Sequence, residues 1–128
     1  MTKQDQLKGA IYGLLVGDAV GVSYEFLLAE QLPAYDQIEM LPPNNFAKTY
    51  PHIPVGTWSD DGAQALCLLD SLLYKNKMDT EDFMKRICNW YQCGYMAVDF
   101  QVFDVGVQTA EAIRNYLSGV PLLQVANN

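Results

Sequence analysis

Five of the six prolines in this chain, Pro33, Pro42, Pro43, Pro51 and Pro54, fall within residues 30–56, with Asn44 and Asn45 among them. Proline has no N–H to give to a helix or a strand ladder, and it pushes the residue before it out of the helical region. No regular element of ordinary length survives that spacing, so the stretch is a loop. A loop this long inside a compact domain is a lid, a binding wall or a locally mobile segment. It also separates one periodic pattern before it from three after it.

All four patterns have helical spacing. The first runs from about Asp5 to Val22, with Leu7, Ile11, Leu14, Leu15 and Val22 as its apolar residues. Glycines at 9, 13, 17 and 21 leave one face of it bare. Each costs about 1 kcal/mol relative to alanine in a helix interior, so the row is expected to admit close approach of another helix or a ligand. The second helix is expected from near Ser59 through Leu73. The third lies in "MDTEDFMKRICNWY", where Asp79 and Asp82 form a start of the capping-box type. The fourth spans Gln108 to Leu117 and ends at Ser118-Gly119, with Pro121 as a stop signal. Between Gly94 and Gly106 lies a second loop with a weak strand pattern. With no repeat or linker, the 128 residues make one domain at most, and its class is all-α.

Charge and residue inventory remove several functions. Fifteen acidic against eight basic residues give a net charge of −7, and the basic residues are scattered, so a basic face for nucleic acid is not expected. Asp18 interrupts the longest apolar run, "GAIYGLLVGDAVGV", so no membrane span is expected either. The start, "MTKQDQLKG", does not lead into a secretory leader pattern. Three cysteines without CxxC spacing fit a reduced protein of the cytoplasm. The single histidine, His52, makes a Ser-His-Asp triad improbable and excludes a multi-histidine zinc site within the chain. There is no P-loop and no GxGxxG turn. Carboxylate chemistry remains.

The carboxylates that matter occur in "GDAVGVSYEF" (Asp18, Glu25), "WSDDG" (Ser59, Asp60, Asp61) and "FDVG" (Asp104). All lie at helix boundaries or in loops, where side chains can converge on a cleft. Singly, each has a structural reading: Asp18 as a buried hydrogen-bonding group, Ser59 to Asp61 as a capped helix start, and Asp104 as the cap of the last helix. The chemical reading of "SDD" is half of an oxygen cage for a hard cation such as Mg²⁺.

In order and spacing, "KGAIYGLLVGDAVGVSYEF", "GTWSDDGAQALCLLDSLL" and "FDVGVQTAEAIRNYLSG" together resemble the first half of an ADP-ribosylglycohydrolase of the dinitrogenase-reductase-activating type. The similarity runs from about Leu7 to the last residue. It implies an all-α orthogonal helical bundle and metal-dependent hydrolysis of the bond that joins ADP-ribose to a modified protein or a related conjugate. It further implies a binuclear Mg²⁺ or Mn²⁺ centre, with Ser59, Asp60 and Asp61 as metal ligands, Glu25 as a catalytic glutamate and Asp104 as an acid beside the metals.

This sequence departs from the family at two places. Gly62 stands where a threonine commonly follows the two aspartates, and the resemblance covers only the N-terminal half of a family member. The second half supplies an Asp-x-Asp metal-binding phrase and a Gly-Asn-Gly segment. The chain is therefore expected to be a truncated or split half, residues 1–128, partnered by a second copy of itself or by a complementing chain. The alternative is a non-catalytic binding or structural module derived from the family.

Overall fold

Helix formation begins where Thr2 and Asp5 satisfy each other's backbone: Asp5 N–H donates to Thr2 Oγ1 at 3.1 Å and Thr2 N–H to Asp5 Oδ2 at 2.9 Å. This reciprocal box closes the first turn of α1 (Lys3–Gly21). The computed structural model describes residues 1–126, which contain three further α-helices, α2 (Asp60–Lys75), α3 (Thr80–Cys93) and α4 (Val107–Leu117), with short 3₁₀ turns and no strand. The all-α expectation holds, and the weak strand pattern after Gly94 instead gives a 3₁₀ turn at Val98–Phe100. Two compact units divide between Gly62 and Ala63, inside the first turn of α2.

In the first unit, α1 buries one narrow stripe. Ala19 and Val22 are buried and Ile11 and Leu15 partly so, at the i, i+3 and i, i+4 spacings of one helix face. Leu7, Tyr12 and Val16, off that stripe, are exposed. The glycine row does not meet a neighbour as its spacing suggested: a Cβ at Gly9, Gly13, Gly17 or Gly21 would find nothing within 4 Å. Among the described residues no helix is long and apolar enough to cross a membrane.

The proline-rich stretch has 3₁₀ turns at Ala29–Gln31 and Tyr35–Gln37 and is otherwise irregular up to α2. It is fastened to the end of α1. Tyr24 Oη donates to Glu39 O at 2.8 Å, and the Tyr24 ring lies 5.1 Å from that of Phe46. Thr49 N–H donates to Ser23 O at 3.3 Å and Thr49 Oγ1 to Glu25 O at 2.5 Å. Lys48 Nζ donates to Ile53 O at 2.6 Å, and Ile53 itself is 2% exposed. Buried backbone groups here find partners one by one instead of in a ladder.

In the second unit, Cys67, Ile87, Trp90 and Ile113 form the buried core of α2, α3 and α4. Asp79 caps α3 by accepting from Asp82 N–H at 3.0 Å, as its position predicts. The side chain of Asp82 turns to Arg86 Nε at 2.7 Å instead, so the pair is a cap and an ion-pair partner and not a reciprocal box. Arg86 also pairs with Asp70, which accepts from Tyr95 Oη, and its guanidinium sits 5.5 Å over the Tyr74 ring. Burial pushes the Cys67 thiol up to about 12, leaving it protonated and unreactive. Gly94 ends α3 in the left-handed region at φ 72°, where a Cβ would lie 2.1 Å from Phe100 O. Only glycine fits there.

Because nothing meets their missing side chains, Gly9→Ala and Gly13→Ala are expected to raise stability by about 0.5–1 kcal/mol each through helix propensity. Thermal melting checks this; a lowered melting temperature in both would mean that the bare face is covered in solution.

Candidate active site

Asp18 sits in the last turn of α1, and its carboxylate reaches the start of α2. Oδ2 accepts from Ser59 N–H at 2.9 Å and from Gly62 N–H at 2.7 Å, while Oδ1 accepts from the Ser59 hydroxyl at 2.7 Å. Helix starts leave N–H groups without intrahelical partners and carry the positive end of the dipole. A carboxylate from another helix meets both needs. Asp60 adds a local link, its Oδ1 lying 3.1 Å from Asp61 N and 3.2 Å from Ser59 Oγ.

Beside this joint opens a cavity of about 440 Å³, walled by Gly17, Asp18, Gly21, Glu25 and Asp61 together with Leu14. Two of the five candidate residues, Glu25 and Asp61, thus share one cavity, with Asp18 between them in kind. Their supports differ. Glu25 is carried on the turn after α1, where its N–H donates to Gly21 O at 2.9 Å and its carbonyl accepts from Thr49. Its Oε1 is shielded from solvent, and the next residue, Phe26, takes a left-handed φ of 61°. Asp61 is exposed in the first turn of α2; Ser59 is 5% exposed and Asp60 is partly buried.

Asp104 belongs to the second unit, partly buried two residues before Gly106, the N-cap position of α4. Its φ of 56° is uncommon outside glycine. A non-glycine residue in that region needs support from its surroundings.

Gly62 has a reason of its own. A Cβ there would lie 2.8 Å from Trp58 Cβ and 2.9 Å from Asp18 Oδ2, so the backbone of α2 approaches Asp18 at a distance that a side chain would forbid.

The donors Ser59, Asp60, Asp61 and Glu25 are oxygen only, which suits Mg²⁺ or Mn²⁺ in kind. Among the described residues no three His, Cys, Asp or Glu side chains are grouped closely enough to hold a cation ready-made.

A family model described as ADP-ribosylglycohydrolase matches residues 1–128. The chain belongs to the ADP-ribosylglycohydrolase family. Over 113 residues it is 33% identical to the ADP-ribosylarginine hydrolase Tri1 of Serratia proteamaculans, an overlap that covers 88% of this chain and 29% of that protein. The Tri1 protein of Pseudomonas putida gives 33% identity over 88% of this chain and 28% of its own length. The Escherichia coli protein YegU is 28% identical, with 98% of this chain and 38% of YegU covered. The chain therefore spans less than a third of the two Tri1 proteins it resembles. An all-α chain with helices and no strand among its described residues agrees with the family's helical fold over this part of its length.

The sequence offered Asp18 as one of the candidate carboxylates and, taken singly, as a buried hydrogen-bonding group. Its partners lie 41 and 44 residues away, and nothing in local periodicity points to them. The close approach at Gly62 yields a prediction. Gly62→Ala is expected to destabilise the chain by about 1–3 kcal/mol, the usual cost of overpacking a tight contact. Chemical denaturation reads the change, and unaltered stability would mean that Asp18 does not approach α2 this closely.

Proposed function

We propose that this chain forms the N-terminal part of a metal-dependent ADP-ribosylglycohydrolase that cleaves the glycosidic bond between ribose C1″ and a modified side chain. The observation that carries the reading is the shared cavity of Glu25 and Asp61 at the joint between α1 and α2, lined also by Asp18. The names of the Tri1 relatives favour arginine-linked ADP-ribose as the substrate. An acidic chain with free cysteines and scattered basic residues suits a protein-bound substrate in a reducing cytoplasm better than direct contact with nucleic acid.

In this reading Ser59, Asp60 and Asp61 hold Mg²⁺ or Mn²⁺. Bound there, the metal would supply positive charge against which these residues could hold the ribose hydroxyls. Glu25 acts as the carboxylate that moves a proton, drawing it from attacking water or giving it to the leaving nitrogen. Its place on a turn pinned through Gly21 O and Thr49 Oγ1 supports that role, because proton transfer needs a donor fixed within hydrogen-bond reach. Asp104 serves as a further acid of the site. The open row of Gly17 and Gly21 leaves part of the cavity wall without side chains, so a ribose can lie against the backbone of α1 there.

Further oxygen ligands come from a second part, equivalent to the remaining length of the Tri1 relatives and present in a complementing polypeptide or elsewhere in the same protein. The second reading, a non-catalytic module, is favoured by the lack of a ready-made cluster of three ligating side chains among the described residues.

The deciding assay measures ADP-ribose release from arginine-modified protein in Mg²⁺. It compares the chain alone, the chain with a separately made second part, and the Asp60→Asn/Asp61→Asn variant with that part. Slow or no release by the chain alone, restored by the second part and abolished in the variant, is the expected outcome. Rapid turnover that survives the double substitution would refute the metal mechanism, and no release in any arm would leave the non-catalytic module as the better reading.

A further inference from the structure

The Ser59 hydroxyl has one proton and two acceptors within reach, Asp18 Oδ1 at 2.7 Å and Asp60 Oδ1 at 3.2 Å. The shorter contact is at the length of a charge-assisted O–H···O⁻ bond, and the longer one exceeds the usual range for hydroxyl donors. The proton therefore goes to Asp18. A neutral hydroxyl binds a cation through a lone pair, so its proton must point away from the cation, to an acceptor. Asp18 is such an acceptor, and its own orientation is fixed, because Oδ2 is held by two backbone N–H groups, those of Ser59 and Gly62. Ser59 is buried, which keeps water from competing for the same proton.

We infer that Asp18 is a positioning residue: it takes the Ser59 proton, fixes the serine rotamer, and so presents the hydroxyl lone pairs to the cation. This rests on the metal-dependent reading of the site. It explains why an acid stands at position 18 when a neutral cap would satisfy the two N–H groups.

Asn at position 18 separates the two tasks. The single amide oxygen can still accept from the backbone N–H groups, but the other branch becomes an NH₂ donor facing Ser59. The hydroxyl would then accept from residue 18 and send its proton toward Asp60 or the cation. Asp18→Asn should accordingly keep the joint between α1 and α2 and lose the orientation.

The experiment measures Mn²⁺ binding to the whole chain by the loss of the free-ion electron paramagnetic resonance signal, with circular dichroism as the check on folding. We expect Asp18→Asn to weaken binding about tenfold or more and Ser59→Ala to weaken it to a similar degree. The double variant should be no worse than Ser59→Ala alone, since two residues that act through one another are non-additive. Wild-type affinity in Asp18→Asn, or strictly additive losses, would overturn the positioning role and leave the metal reading standing. No Mn²⁺ binding by the wild-type chain would overturn both. A second readout needs no substitution at position 18. In Mg²⁺, proton NMR should show a slowly exchanging, downfield hydroxyl resonance that disappears in Ser59→Ala, and its absence from the wild type would also overturn the proposal.

Discussion

Much of the first unit hangs on three hydrogen bonds to one carboxylate. Asp18, in the last turn of α1, accepts from Ser59 N–H, Ser59 Oγ and Gly62 N–H, fixing where α2 begins. Hydrogen bonds to a charged acceptor are roughly twice as strong as neutral ones, and leaving a buried polar group without its partner costs about 1–3 kcal/mol. The residues around the joint follow from it. Gly62 is bare because the backbone must come within reach of Asp18, and Asp60 and Asp61 fall in the first turn because Asp18 sets the turn's origin. Acidic residues there also face the positive end of the helix dipole.

The long loop adds the other half of the arrangement. Prolines deny it a ladder, so its order comes from single bonds, among them Thr49 to Ser23 O and Glu25 O and Tyr24 to Glu39 O. Those bonds hold the turn that carries Glu25 next to the glycine end of α1. A cavity wall made from a helix end, a pinned turn and a helix start suits carboxylate chemistry, since each element brings an acid with its backbone already fixed.

Local pattern was enough to read the helices, because each is marked by apolar spacing and two also by an end, the cap at Asp79 and the stop after Leu117. The proline-rich stretch was equally legible as a loop. What spacing could not supply was contact across sequence. It left the glycine row open to a neighbouring helix or a ligand, and those glycines face open space, Gly17 and Gly21 on a cavity wall. It paired Asp82 with Asp79 in a box, yet Arg86 competes for the Asp82 carboxylate with a charge that a backbone N–H lacks. Asp18 was visible as a polar residue in an apolar run, but its partners across the loop were not. The grouping of Glu25 with the "SDD" phrase came from family resemblance, not from periodicity.

The central claim is that the start of α2, held by Asp18, presents Ser59, Asp60 and Asp61 as oxygen ligands to a divalent cation. The direct test is a crystal structure of the chain grown or soaked in Mn²⁺, with anomalous differences collected to locate the ion. The account predicts an anomalous peak bounded by Ser59 Oγ and the Asp60 and Asp61 carboxylates, with Ser59 still donating to Asp18. Full Mn²⁺ exposure that yields no peak at this helix start, or a peak with Ser59 Oγ turned away from it, would contradict it.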